Sequence, residues 1–392
     1  MDRSELGALL RPESLRLLAT LHQEQPSSDS AALVSGLRKA GHDPEVVRAV
    51  VSQWGMRLKA ADKFGDFAKR MLFSKDGLEQ STRLAISSHH AHRFETVGLT
   101  SVADLGCGIG GDSLAFAGTG LHVQAVEADA VTAALAAYNL QPFDTATVTH
   151  STAEETDLSN YEGLWFDPAR RSGSQRLTDP MDWSPALNWV FDQAHKRPSG
   201  VKLAPGMDRG LIPEDAEAQW ISYQGSVAEM VVWSGSLQRE GVTRSALVVS
   251  SRGSAEMISR ADSPDAPAGE LLDYLVEPDG AVIRARLIGD LARSHSGVML
   301  DETIAYFSTS QPVMSPLAQC FRIEEVVPYN LKRVKAMVAS AHLGSLEIKK
   351  RGIDIDPHEF RRQITLKGHG EKTLILTRHQ GDRVAILASR VV

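Results

Sequence analysis

Val102-Ala103-Asp104-Leu105-Gly106-Cys107-Gly108-Ile109-Gly110-Gly111-Asp112 is an apolar run that enters a glycine-rich turn and continues into a helical pattern from Ser113. Such a turn needs glycine, which adopts left-handed backbone angles freely and lets a ligand approach the main chain. The spacing of Gly106, Gly108 and Gly111 fits the dinucleotide-binding fingerprint, so a nicotinamide or flavin site is one reading. Asp104 favours another. It stands at the carboxyl end of the strand, where ligands of such sheets bind, and would repel a pyrophosphate. A ligand bearing an ammonium group would be attracted there, directly or through water.

Short apolar runs separated by helix-length segments surround this turn, at residues 101–105, 122–127, 146–149, 164–167 and 200–203. With helical stretches such as 130–138 and 185–195 between them, they predict a parallel, doubly wound α/β sheet. Runs at 219–223, 229–233 and 246–249 suit an antiparallel edge. Towards the amino terminus, leucines at helical spacing from Leu6 to Leu21, then residues 32–40 and 44–58, predict helices. Asp43 is the expected N-cap there, with Pro44 in the first helical position. Residues 251–269, rich in Ser, Asp, Pro and Gly, read as a linker, and 281–287 as a strand in an otherwise irregular stretch. The tail reads β-α-β-α-β-β over 324–327, 330–341, 346–350, 356–364, 373–377 and 384–389. The expected organisation is a helical segment 1–95, a ligand-binding core 96–255, a linker or irregular region 256–320 packed on that core, and a small basic α/β domain 321–392.

The stretch 104–111 resembles motif I of the class I S-adenosylmethionine-dependent methyltransferases. The resemblance implies a Rossmann-like sheet and S-adenosylmethionine as cofactor, held by Asp104, Gly106, Gly108, Gly110, Asp112, Glu127, Thr152 and Ala153. Glu127 ends the second strand, 23 residues after Asp104, where an acidic side chain can accept from both ribose hydroxyls. Asp129 competes for that role but has a structural one as the expected cap of the helix that follows. Ser151-Thr152-Ala153-Glu154 resembles the segment that flanks the adenine, with Thr152 where many relatives carry Asp.

Leu164-Trp165-Phe166-Asp167-Pro168-Ala169-Arg170-Arg171 resembles motif IV, the Asp/Asn-Pro-Pro-aromatic loop of methyltransferases that modify amino groups of nucleic-acid bases. An exocyclic amine conjugated with its ring must rehybridise to attack a sulfonium methyl in line. A rigid carboxylate and main-chain carbonyls can take its hydrogens and steady that geometry. The catalytic candidates are therefore Asp167 and Pro168, with Arg170 and Arg171 as grips on phosphate or a base edge. Ala169 replaces the second proline and Arg170 the aromatic residue. Asp-Pro-Ala-Arg also resembles the loop of RNA uracil C5-methyltransferases, but those need a cysteine near the end of the next strand, where Val201-Lys202-Leu203-Ala204-Pro205-Gly206 has none. Lys202 reads equally as an ion-paired core lysine and as a site residue. Upstream, residues 70–82 look loosely like the lid segment of trimethylguanosine synthases, against the plainer reading that Phe67, Met71 and Phe73 pack a helix. His89, His90 and His92 read as surface residues, and no metal site is expected.

The formal net charge is −7, which speaks against a uniformly basic nucleic-acid coat. Residues 321–392, however, carry 14 Lys and Arg against 8 Asp and Glu, a net of +6, which leaves −13 for the first 320. A basic tail on an acidic body points to a polyanionic partner. Over its whole length the chain resembles a bacterial group of class I methyltransferases with a carboxy-terminal THUMP-like domain. That resemblance implies RNA as partner, with Lys332, Arg333, Lys335, Lys349, Lys350, Arg351, Arg361 and Arg362 as phosphate contacts. Two cysteines, no bilayer-length apolar run and no signal-like start suggest a cytoplasmic protein. The expected activity is methyl transfer from S-adenosylmethionine to a nitrogen of an RNA base. The rivals are a small-molecule or protein methyltransferase with a structural tail, a non-catalytic RNA-binding protein that senses the cofactor, and a dinucleotide oxidoreductase.

Overall fold

The computed structural model of the chain describes residues 1–24, 29–172, 175–251 and 253–391. They form two units, Met1–Leu203 with Val232–Gln238, and Ala204–Val231 with Arg239–Val392.

The first unit begins with helices organised around Pro44–Phe64. Asp43 caps that helix by accepting from the Glu45 amide at 2.7 Å, and Pro44 occupies the first turn, as expected. Val46, Val47, Val50 and Trp54 recur at helical spacing and are buried, against Arg3–Leu9, Pro12–Glu24 and Ser30–Lys39. Two further helices, Lys75–Gln80 and Leu84–Thr96, lead into the sheet.

Strands β1 (Ser101–Leu105), β2 (His122–Glu127), β3 (Ala146–His150), β4 (Gly163–Phe166) and the strand Ser199–Leu203 are all parallel. Within the sheet β1 pairs with β2 on one side and β4 on the other. The chain thus reverses its direction of build-up at β1, and the crevice at the carboxyl ends of β1 and β4 is where such sheets bind ligands. Trp165 on β4 is fully buried among Phe116, His90 and Trp233. A Cβ on Gly200 would stand 2.6 Å from the Trp165 ring, so only glycine lets the neighbouring strand close on that indole. His90 is wholly buried and its ring lies 4.4 Å from that of Trp165, which overturns its reading as a surface residue. The helix Leu84–Thr96 turns this face inward, and an aspartate supplies the polar partner described below.

In the second unit Glu217–Tyr223 and Arg244–Ser250 run parallel, and the antiparallel neighbour is Gly253–Ser259. This strand lies inside the stretch expected to be a linker. Its residues alternate between exposed and half-buried, so Ser and Glu on the open side hid the period.

The region 256–320 is likewise regular. Tyr274–Pro278, Val298–Asp301 and Ile304–Thr309 are strands, while Gly280–Arg284, within the stretch read as a strand, is a helix capped by Asp279. Tyr274–Pro278 pairs with Ala318–Pro328, so strands of this region join the tail in a seven-stranded sheet, while Gly280–Arg284 packs on Glu217–Tyr223 and Arg244–Ser250. The tail itself follows the expected order: Ala318–Pro328, Leu331–Ser340, Leu343–Lys350, Pro357–Arg362, Gly370–His379 and Asp382–Arg390. Val334, Met337, Phe360, Leu374 and Leu387 form its core on one face of the sheet, and Leu275, Tyr306, Phe321 and Ile386 on the other.

Candidate active site

A cleft of about 640 Å³ opens at the carboxyl ends of β1, β2 and β4. Its wall includes Gly106, Gly108, Glu127, Thr152, Asp167 and Lys202, with Asp112, Ala153, Pro168 and Arg170 beside them. Gly110 is not on the wall. It has φ +88 and packs under Leu140, where its role is to turn the chain into the helix Gly111–Gly118. The side chain of Arg171 lies outside the described residues.

The turn after β1 is built from main-chain bonds. The Gly106 and Cys107 amides both donate to the Val126 carbonyl at 3.0 Å, and the Gly108 amide donates to Glu127 Oε2 at 3.0 Å. Gly106 has φ +89, and a Cβ there would lie 2.6 Å from the Asp167 carbonyl oxygen. The cofactor turn and the loop after β4 therefore touch through a glycine, which fixes Asp167 relative to the turn. Glu127 also accepts from the Asp129 amide at 2.9 Å. Burial raises its carboxyl above the usual value, against those two amide bonds. Asp129 caps the next helix through Thr132, so the structural role read for it is the one it has.

Asp104 lies beneath the wall, fully buried, and accepts from the Ser113 hydroxyl at 2.5 Å. Its Oδ1 is buried with no hydrogen-bond partner among the described residues. Such an atom awaits a donor, and the ammonium of an amino acid fits it. With Glu127 facing the cleft and open space before Gly108, these residues fit S-adenosylmethionine: Asp104 for the amino end, the glycines for the close approach, Glu127 for the ribose. Thr152, expected beside the adenine, has its hydroxyl on Glu155 at 3.0 Å and still lines the cleft.

Burial, then the Asp112 carboxylate, push Asp104 up to about 8. An unfolded aspartate titrates near ~3.9, so native Asp104 keeps a proton over a window in which the unfolded chain has lost it. The stability it confers is full below the unfolded value and lost as pH rises towards 8. Asp104→Asn should flatten the fall in Tm across that window. A cationic ligand beside Asp104 reverses the preference, so cofactor binding at pH 7 should release close to one proton. Calorimetry in buffers of different ionisation enthalpy reads this directly; heats independent of buffer would refute the contact.

Asp167 is half-buried and is bonded by the Lys202 ammonium, which donates to Oδ2 at 2.6 Å and to the Thr82 hydroxyl at 2.7 Å. Thr82 in turn donates to Asp112 Oδ2 at 2.7 Å, while His90 Nδ1 stands 2.9 Å from Asp112 Oδ1. Lys202 also lies 3.7 Å from Asp112. Burial works against ionisation of Asp112, yet Lys202, His90 and Thr82 outweigh it and hold its carboxyl below the usual range. Both Asp112 oxygens thus serve this network, and Asp112 also lines the cleft. Lys202 is both things the sequence left open: an ion-paired lysine and a residue of the cleft wall. Thr82 and His90 were not legible, because each acts through residues distant in sequence.

Residues 71–73, ahead of this cluster, belong to no helix or strand. Side chains satisfy them instead: Arg57 donates to the Met71 carbonyl at 2.9 Å, Asn139 bonds the Leu72 amide and carbonyl at 2.7 and 3.0 Å, and Gln53 accepts from the Phe73 amide at 3.0 Å. Asn139 also donates to the Ile109 carbonyl at 2.9 Å, tying this segment to the cofactor turn. Lys63 completes the frame by donating to the carbonyls of Leu78, Glu79 and Ser81 at 2.7 to 2.9 Å.

In the tail, Lys332, Arg333, Lys335, Lys350, Arg361 and Arg362 are exposed. Lys349 is instead paired with Glu277 at 2.5 Å, and Arg351 lies over the Tyr306 ring at 5.0 Å. These two expected phosphate contacts are half-buried, beside an acid and an aromatic ring supplied by the strands at 274–309.

A THUMP domain-like family matches residues 318–390, and a domain of unknown function, DUF8688, matches residues 2–60. The chain is 30% identical over 344 residues to an uncharacterised S-adenosylmethionine-dependent methyltransferase of Mycobacterium tuberculosis, covering 82% of this chain and 90% of the relative. A solved structure from Porphyromonas gingivalis W83, described as a methyltransferase, superposes with a TM-score of 0.75 at 19% identity over 100% of both chains. It supports the fold.

Proposed function

We propose, from the premise that this chain belongs to the S-adenosylmethionine-dependent methyltransferases, that it methylates a nitrogen of a nucleobase in RNA. The observation that carries the reading is the Asp167–Pro168 loop, packed against the cofactor turn through Gly106 and braced by Lys202. The THUMP domain-like match and the exposed cations of the tail support RNA as the class of substrate.

Bound S-adenosylmethionine supplies an electrophilic methyl group on a sulfonium. Asp167 would accept a hydrogen bond from the acceptor amine, turning the nitrogen lone pair towards that carbon. Lys202 holds the carboxylate in place through Oδ2. The proton that the amine sheds on methylation would pass to Asp167 or to water. Pro168, buried, keeps the loop rigid while this happens. Arg170, half-buried on the wall, would meet a phosphate or a base edge.

Mass spectrometry of digested tRNA and rRNA from a strain lacking the gene tests the reading. One methylated nucleoside should be missing and should return with the wild-type gene. An unchanged set of nucleosides would turn the assignment towards a small-molecule or protein substrate.

A further inference from the structure

We propose that Arg209, Arg244 and Arg286, gathered around Asp262 in the second unit, form a second surface for the phosphate backbone of RNA. The proposal rests on the RNA reading above and adds a contact outside the THUMP domain-like residues. Asp262 Oδ1 accepts from Arg209 Nη2 at 2.7 Å and from Arg244 Nε at 3.0 Å, and Arg286 Nη1 stands 3.8 Å from Oδ2. One carboxylate faces three guanidiniums, so the cluster keeps two positive charges in a part of the chain that is acidic on average.

A structural ion pair needs one guanidinium per carboxylate. Two more impose mutual repulsion, which an incoming anion would relieve. Burial and then the neighbouring arginines pull Arg209 below the usual guanidinium value, against the attraction of Asp262. The cations are also held in position before any ligand arrives. Arg209 lies 5.3 Å from the Trp220 ring centroid, and Arg244 donates to the Thr243 carbonyl at 2.8 Å. Arg286, with a side chain 66% exposed, sits at φ +56, a left-handed conformation that non-glycine residues seldom adopt. Its carbonyl accepts from the Ser263 amide at 3.0 Å, which locks it beside the Asp262 loop. Arginine forks match phosphate oxygens in pairs. Such contacts position RNA without reading its sequence.

The full-length chain, titrated with fluorescently labelled tRNA transcribed in vitro at several salt concentrations, tests this. Arg286→Glu should weaken binding about tenfold and reduce the slope of log affinity against log salt by about one. The double variant Arg209→Gln/Arg244→Gln should weaken it further. S-adenosylmethionine affinity, unchanged in Arg286→Glu, shows that the variant is folded. If the wild type binds tRNA and Arg286→Glu keeps its affinity and slope, this surface is refuted while the RNA reading stands. If the wild type does not bind at any salt, the RNA reading itself fails. Polyglutamate competing as well as tRNA would reassign the cluster to an acidic protein and also overturn the proposal.

Discussion

Asp167→Ala is expected to lower methyl transfer by at least about a hundredfold while S-adenosylmethionine affinity stays within a few-fold of wild type. The side chain contributes no wall that the cofactor turn needs. What touches Gly106 is the main-chain carbonyl of Asp167, and alanine keeps it. Lys202 retains the Thr82 hydroxyl and Asp112 as partners, so the variant leaves no isolated cation. What disappears is the acceptor that would orient the attacking amine, an interaction tightened as the nitrogen rehybridises. A loss in kcat with little change in cofactor binding is the signature of that role. Removing the brace instead, with Lys202→Met, should lower kcat through misplaced Asp167. Turnover unchanged in Asp167→Ala, measured on RNA from a strain lacking the gene, would show that the acceptor site lies elsewhere.

Asn139→Leu is expected to destabilise the first unit by about 3–5 kcal/mol, since three buried main-chain groups lose their only described bonds at roughly 1–3 kcal/mol each. For a unit of this size that corresponds to a fall in Tm of about 10 °C. The change is nearly isosteric, so cavity formation adds little, and the effect reports the hydrogen bonds. Because Asn139 joins residue 72 to the Ile109 carbonyl, cofactor affinity should fall together with stability. A thermal melt within 2 °C of wild type would mean that residues 71–73 are held by packing alone. Met71, Leu72 and Phe73 are themselves buried and would then carry the segment.

The parallel sheet, the glycine turn and the tail were legible because each rests on local pattern. Strand periodicity, turn glycines and N-caps such as Asp43 and Asp129 are written into neighbouring residues. The glycine at 106 shows the limit of that local reading. Sequence marks it as a residue for a tight turn, but its tightest constraint is the carbonyl of Asp167, 61 residues later. The side-chain network was illegible for the same reason. Thr82, His90, Asp112, Lys202 and Asp167 come from three elements and two loops, and nothing in their spacing announces that they meet. Gly253–Ser259 was lost to composition, because a half-exposed strand rich in Ser and Glu looks like a linker. Once Tyr274–Pro278 pairs with Ala318–Pro328, Glu277 and Tyr306 take up Lys349 and Arg351, and part of the tail's positive charge becomes structural. The +6 of residues 321–392 therefore overstates what they offer a polyanion.

The most direct test of the central claim is the destination of the methyl group. Purified protein, methyl-labelled S-adenosylmethionine and an extract from a strain lacking the gene should yield label in the RNA fraction, removable by ribonuclease and absent with Asp167→Ala. Label that resists ribonuclease and follows the protein or small-molecule fraction would contradict the account.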